Sequence, residues 1–455
     1  MLRLIAHRDF PFYTPKGAIP VGGALRDLLL GERPLDLDFA AWDPEKAAEE
    51  AKGRYGGTLF PLDPERGHYR LVAGALTLDF TPLEGSPEED LLRRDYRVNA
   101  LLWLKGRVFG LPGAEEDLNR RLLVPVQEEN LYADPLRSLR GVRLAATLGL
   151  GLPPETRRAL ARHARFLQEN PSALPARERV REELAKLLLV KRAPFGLHLL
   201  ERTGLLGIYL PELTHLVGLH QGGVHHLPAW EHTLSVLFHL LWLWPEAPLE
   251  ARLAALYHDA GKPLTRRYDP EVGRYRFFGH AEVGAEMAKA ALFWLRFPKE
   301  VVEKAAHLVR RHMDRPPEGT KALRRFYFKR RDLLPALPYL MAADRLAAKG
   351  VEAEAWPLLE AYREALKTPL PQEPLLSGEE VMALLGLRPG PLVGEALRAL
   401  LEAQAEGSVA SQEEARRFLL YWRDGRTAQA TPAPDHPGGG GGSGGGGSHH
   451  HHHHC

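Results

Sequence analysis

Cysteine is all but missing from this chain: in 455 residues the only one is Cys455, at the last position. A disulfide framework and a thiolate metal site are therefore excluded. Asparagine is nearly as scarce, confined to Asn99, Asn119, Asn130 and Asn170, while charged residues are abundant. Depletion of a thermolabile residue alongside enriched charge is the composition of a thermophile. No apolar run reaches the roughly 18 residues that a membrane-spanning helix needs. The first residues also lack the charged-then-apolar pattern of a secretory signal. A cytoplasmic location with no membrane partner is expected. Neither sign of charge dominates, with 60 Lys and Arg against 58 Asp and Glu, so net charge selects no partner. Local basic clusters at residues 137–165 and 310–331 carry more information. The Gly/Ser linker at 438–448, six histidines and the terminal cysteine form an added tail that does not bear on the fold.

The stretch that organises the rest is 21–40. It runs Val21-Gly-Gly-Ala-Leu-Arg-Asp, then Gly31, Pro34 and Leu35-Asp-Leu-Asp-Phe-Ala, and reads as a glycine turn, a helix start and a strand. Side chains two apart on a strand share a face, which puts Asp36 and Asp38 together and turns Leu35, Leu37 and Phe39 to the core. Two carboxylates on one face call for a cation, and Mg2+ held by one or two acids, water and substrate phosphates is the usual answer. Gly22 and Gly23 allow a tight turn and close approach of a ligand, the amides of 24–27 can cradle phosphate, and Arg26 adds a fixed cation. A second strand, Leu76-Thr-Leu-Asp-Phe, offers Asp79 either as a third acid or as an ordinary strand-end carboxylate. Further along, residues 88–103 contain Arg93-Arg-Asp-Tyr-Arg-Val-Asn-Ala. Arg93 and Arg94 offer forked phosphate donors, Asp95 can accept from a hydroxyl, and Asn99 lies one helical turn beyond it.

Joined in this order, these features resemble the DNA polymerase β-like nucleotidyltransferase superfamily, and within it the class II family of tRNA nucleotidyltransferases and poly(A) polymerases. The resemblance implies that the Arg-Arg-Asp segment binds nucleotide ribose and triphosphate. Ala133-Asp-Pro-Leu-Arg-Ser-Leu-Arg-Gly-Val-Arg is similar to the family's Glu-Asp-x-x-Arg segment and the arginine-rich helix after it. Asp134 and Pro135 start that helix, and Arg137, Arg140 and Arg143 follow at steps of three. A carboxylate accepts from the exocyclic amine of cytosine or adenine and a guanidinium donates to ring acceptors, so the resemblance makes Asp134 and Arg137 the base-selecting pair. Ala133 stands where the family usually has Glu, which removes an orienting partner for the arginines. Residues 177–189 read as a packing helix with a charged outer face.

A second chemistry follows. His232, His258-Asp259 and Asp344, with His280 and His312 between them, resemble the HD-domain pattern of metal-dependent phosphohydrolases, and a divalent transition metal suits such ligands. Some family members use this domain for hydrolysis and others keep only its scaffold. Phe326, Tyr327 and Phe328 lie within the basic stretch 310–331, which is either an RNA backbone contact or a solvated helical face.

The expected fold class is α+β: a polymerase β-like α/β head, then helical neck, HD and tail domains, with the chain helical from Ala133 onward. The expected bounds are 1–125 for the catalytic head, 126–200 for the neck, 201–365 for the HD domain and 366–424 for a tRNA-binding segment. Residues 425–455 are an expected disordered tail. The function implied is template-independent addition of C and/or A from CTP and ATP to the tRNA 3′ end. Only residues 81–92 separate the second acidic strand from Arg93, a short form similar to CC-adding enzymes. Full CCA addition and poly(A) synthesis are the alternatives, as is, from another class, HD-type hydrolysis of RNA ends or cyclic phosphates.

Overall fold

The computed structural model describes residues 1–222 and 227–430, with side chains given up to 426. It divides into two units, Met1–Thr214 and the part beginning at His215.

The first unit opens with strands β1 (Arg3–His7), β2 (Ala18–Val21), β3 (Asp36–Ala41), β4 (Thr58–Asp63), β5 (His68–Ala73), β6 (Leu76–Pro82), β7 (Leu101–Leu104) and β8 (Arg107–Gly110). They form one sheet in the order β1-β8-β7-β2-β3-β6-β5-β4. All pairs are antiparallel except β3 with β6. Alternation along β3 buries Leu37 and Phe39 on one face, where Phe39 stacks on Phe80 at 5.1 Å. Helix Pro44–Tyr55 covers that face with Ala47, Ala48 and Ala51. The side chain of Asp43 accepts from the Lys46 amide at its start, and Pro44 is fixed in the first helical turn. Leu35, expected in the core, is 54% exposed, because the strand begins only at Asp36.

Helices Arg137–Leu148, Pro154–Glu169, Arg177–Leu189 and Ala193–Thr203 follow the sheet. Leu139, Val142 and Ala146 are buried on the first of them, and Leu184 and Leu187 on the third. His163 is buried beside them, its Nδ1 2.8 Å from Ser138 Oγ and its ring edge-on to Tyr132 at 4.9 Å. Burial lowers its pKa to about 4. Because the folded value lies below the unfolded one, the stability it contributes is present above about pH 6.5 and is lost as pH falls towards 4, about 3 kcal/mol in full. In melts at pH 7.5 and 4.5, His163→Gln should therefore lose less stability on acidification than the parent; equal losses would contradict this.

The second unit is built on helices Ala229–Leu243, Leu249–Tyr257, His280–Trp294, Lys299–Arg311, Thr320–Lys329, Ala336–Leu346 and Ala355–Ala365. Among the described residues the expectation of helix throughout fails at an antiparallel hairpin of β9 (Arg267–Asp269) and β10 (Arg274–Arg276). Its Arg-Tyr-Asp and Arg-Tyr-Arg runs have a period of two, and a turn through Pro270 and Gly273 joins them. Helices Gly378–Leu385, Pro391–Glu406 and Gln412–Ala430 pack about Leu376, Val381, Leu400 and Leu419. The last helix runs on past Asp424, so the expected disordered tail does not begin there; residues 431–455 lie outside the described part.

In the basic stretch 310–331 the aromatic residues turn inward and several of the cations are paired within the protein. Phe326, Tyr327 and Phe328 are buried. Arg310 pairs with Glu282 and Glu286, and Arg330 with Asp314. Arg324 is buried, donating to the carbonyls of Ala405 at 2.6 Å, Ala365 at 2.7 Å and Thr368 at 2.6 Å.

Candidate active site and a buried metal-ligating cluster

Parallel register places Asp38 directly beside Asp79 and Asp36 beside Thr77, so all three acids share the face opposite the Phe39 core. β2 pairs Val21 with Asp38, which brings the glycine turn alongside. Gly22 has φ 81°, a conformation that favours glycine. A Cβ built there would lie 3.3 Å from Asp38 Oδ2 and 3.4 Å from Arg94 Nη1. The turn is thus threaded between an acid and a cation. Arg94 is steadied by Asp90, Nη2 to Oδ2 at 3.1 Å.

Burial pushes the Asp38 carboxyl up to about 6, against the opposing pull of Arg94 and with Asp79 and Asp36 adding to the rise. Asp36 and Asp38 lie together on this face as hard oxygen donors, which fits a divalent ion. Asp79, the third acid, is already paired: Arg70 donates to both of its oxygens, at 2.8 and 3.0 Å. Burial raises its pKa, but hydrogen bonds from His68 and Arg70 prevail and hold it below the usual range.

Arg93 to Asp95 form a turn rather than part of one helix with Asn99, which ends the short 3-10 turn Arg97–Asn99. Asn99 nevertheless reaches back, its Nδ2 3.3 Å from Asp95 Oδ1. From there a polar chain crosses the unit. Arg26 Nη1 donates to Asn99 Oδ1 and Arg26 Nη2 to Asp27 at 2.8 Å. Asp95 Oδ2 lies 3.9 Å from Arg140 Nη1. Arg140 meets Glu183 at 3.4 Å, and Arg143 meets it at 2.7 Å. Tyr96, buried beside this chain, donates its hydroxyl to the Arg137 carbonyl at 2.6 Å. Arg93 lies apart, half-exposed and donating to the Glu84 carbonyl at 2.8 Å.

Asp134 does not pair with Arg137. Its carboxylate is held by Arg179, Nη1 to Oδ1 at 3.2 Å and Nη2 to Oδ2 at 3.0 Å, while Arg137 Nη1 donates to the Asn130 carbonyl at 2.9 Å. Arg179 and Glu183 are the site residues that the sequence reading missed, having been assigned to a charged outer face. Glu183 is in fact 4% exposed. The clue was its position: Val180, Leu184 and Leu187 mark the buried stripe, and Glu183 falls on it three residues after Val180.

In the second unit His232, His258, Asp259, Asp344, His280 and His312 converge, all buried. His232 Nε2 lies 3.0 Å from Asp344 Oδ1, His258 Nε2 3.2 Å from Asp259 Oδ2, and His280 Nε2 3.5 Å from Asp259 Oδ1. His232, His258 and Asp259 form one potential ligand set, and Asp259, His280 and His312 a second. The Nδ1 atoms of His258, His280 and His312 sit on the carbonyls of Ala255, Phe277 and Val309 at 2.7, 3.1 and 2.5 Å. This turns their Nε2 atoms inward, as backbone acceptors do for metal-binding imidazoles. Burial holds His280 and His312 neutral, His312 at about 4. Burial also opposes charge on His258, but Asp259 and Asp344 overcome it and raise that ring to about 10. Lys262, fully buried, lies 3.2 Å from Asp259 and donates to Gln221. The donor set fits a divalent metal.

Comparisons with known proteins follow these two sites. Residues 229–349 match the HD domain family, and residues 149–216 match the family described as the probable RNA and SrmB-binding site of polymerase A. The chain is 78% identical over 433 residues to a CC-adding tRNA nucleotidyltransferase of Thermus thermophilus, covering 95% of this chain and 100% of that one. It is 47% identical over 418 residues to an A-adding tRNA nucleotidyltransferase of Deinococcus radiodurans, covering 90% and 96%. Among solved structures it is similar to the Bacillus stearothermophilus CCA-adding enzyme in complex with CTP. There the TM-score is 0.65 at 25% identity, with 90% of this chain and 94% of that one covered.

Proposed function

The chain belongs to the family of class II tRNA nucleotidyltransferases and poly(A) polymerases, and from that premise we propose that it is the CC-adding kind. It is an enzyme that adds nucleotides to the tRNA 3′ end, with tRNA, CTP and ATP as partners. We assign residues 1–125 to the catalytic head, 126–200 to the neck, 201–365 to the HD domain and 366–424 to a tRNA-binding segment.

Nucleotidyltransferases and HD domains generally use divalent metals. In the head Asp36 and Asp38 would hold Mg2+, which when bound would supply activation of the terminal 3′-hydroxyl and offset charge on the leaving pyrophosphate. Gly22 and Gly23 let the triphosphate approach the backbone, and Arg94 and Arg26 face its charge. Asp95 and Asn99 position the ribose. Arg140 and Arg143, clamped by Glu183, hold this wall in place. Asp134 reads the base: Arg179 uses one lone pair on each oxygen, leaving acceptor capacity for the cytosine amine. Arg137 donates to the ring. Arg179 thus does for Asp134 the orienting work that Ala133 cannot do for the arginines.

Arg179→Ala should lower the preference for CTP over UTP by about tenfold or more, because an unpinned carboxylate no longer presents a fixed acceptor. Arg179→Lys should restore only part of it. Ratios of kcat/KM for the two nucleotides check this, and an unchanged ratio would remove Arg179 from base selection.

The observation that carries the subtype is the connector after β6. Leu83 is tied to the Ala41 carbonyl at 2.9 Å, and residues 87–92 are already helix, closed by a capping box between Ser86 and Glu89. So short and pinned a segment has little slack with which to reshape the pocket from C to A. With tRNA lacking its terminal triplet, CTP alone should extend the product by two residues, and ATP should add nothing to it. A third residue on adding ATP would make this a full CCA enzyme.

A second activity is supported by the buried His and Asp cluster, which we read as a transition-metal phosphohydrolase centre held by His232, His258, Asp259 and Asp344. The test is His258→Ala, which should abolish metal-dependent hydrolysis of 2′,3′-cyclic phosphates and spare CTP incorporation.

A further inference from the structure

Neither site uses the β9–β10 hairpin, yet its two faces are differentiated. Tyr268 and Tyr275 are register partners on one face, 58% and 37% exposed, with rings 5.4 Å apart at 70°. Arg266 lies over Tyr275, its Cζ 3.7 Å from the ring centre, extending the flat surface with a guanidinium. On the other face Arg267 and Arg276 are direct cross-strand partners, as are Asp269 and Arg274. Like charges placed opposite one another destabilise a strand pair, and a two-stranded hairpin is marginal to begin with. Asp269 offsets part of this by pairing with Arg276 at 2.8 Å. Four arginines against Asp269 and Glu271 still leave an excess of positive charge on this small projection.

We propose that the hairpin is a contact for an unpaired stretch of RNA, with bases stacking on Tyr268, Tyr275 and Arg266 and phosphates lying against Arg267, Arg274 and Arg276. Aromatic rings beside guanidinium groups are the chemistry of single-strand binding, where stacking is indifferent to sequence and arginine follows the backbone. An acidic protein would satisfy the arginines and leave the tyrosine face bare. Position adds to the case. Lys262 precedes the hairpin and His280 follows it, both at the buried cluster, and Phe277 at its base is buried with the Lys262 ammonium 5.3 Å from the ring centre. A strand held here lies next to the second centre. The inference rests on the reading of the chain as acting on RNA, not on turnover at that centre.

The test is photo-cross-linking of the full chain to a single-stranded RNA carrying 5-iodouracil, with the cross-linked peptide identified by mass spectrometry. Cross-links should fall on Tyr268 or Tyr275. Tyr268→Ala with Tyr275→Ala should weaken binding of the strand about tenfold, whereas the corresponding Phe pair should keep it. Arg267→Ala with Arg274→Ala should weaken binding and flatten its dependence on log salt by roughly 1.4, two phosphate contacts' worth. CTP incorporation at saturating tRNA should be unchanged in all three. Cross-links confined to other segments, with binding unaltered in both Ala pairs, would overturn the proposal. So would an arginine pair that loses polyglutamate binding and keeps RNA binding, which would point to a protein partner. Failure of the parent chain to bind any RNA would overturn the broader reading instead.

Discussion

Asp38→Asn is expected to reduce CTP incorporation by about a thousandfold or more while raising the melting temperature. The first effect follows from removing a ligand of the ion that offsets transition-state charge, worth several kcal/mol. The second follows from the raised pKa. A carboxyl whose folded value is about 6 is harder to ionise in the fold than in the unfolded chain, so at neutral pH its charge costs stability. Asparagine keeps the shape and drops the charge. Asp36→Ala should also lose incorporation, without the gain in stability, since Asp36 is exposed. Single-turnover extension of tRNA and thermal melts check both effects. Retained incorporation in either variant would move the chemistry away from this strand.

Arg324→Ala is expected to cost the second unit about 4 kcal/mol, the scale of leaving buried polar partners unmet. Its guanidinium donates to the carbonyl of Ala405 near the end of helix Pro391–Glu406 and to those of Ala365 and Thr368 where helix Ala355–Ala365 ends. Two helix C-termini, each carrying partial negative charge, therefore converge on one cation. Arg324→Lys should recover only part of the loss, because one ammonium cannot span carbonyls that a planar fork reaches together. Denaturant melts followed by the near-ultraviolet signal of the second unit's aromatics would show the difference. An unchanged midpoint would mean that water replaces the guanidinium.

The strand acids were legible because a period-two pattern fixes faces: Asp36 and Asp38 on one side and Phe39 on the other follow from spacing alone. Leu35 was misread because spacing does not say where pairing begins. The buried His and Asp cluster was legible as residue types, and the His280 and His312 positions were visible although only the structure brings them to Asp259. Arg179 and Glu183 were not read because their partners are distant in sequence, and Arg70 because its partner Asp79 is set by the register of β5 on β6. What they do depends on which neighbour the fold supplies: Arg70 pairs with Asp79, Arg179 takes Asp134 from Arg137, and Glu183 gathers Arg140 and Arg143. The basic stretch 310–331 shows the same limit, since charge and aromatic content alone did not distinguish an outward-facing surface from the seam that Arg324 closes.

The parallel pairing of β3 with β6 ties competence to correct assembly. A slip of one residue would exchange the two sides of β3, sending Asp38 into the layer where Phe39 and Phe80 stack and lifting the rings into water. Mispaired chains would therefore be inert as well as unstable, and any molecule able to take a nucleotide has already passed inspection by its own hydrophobic interior.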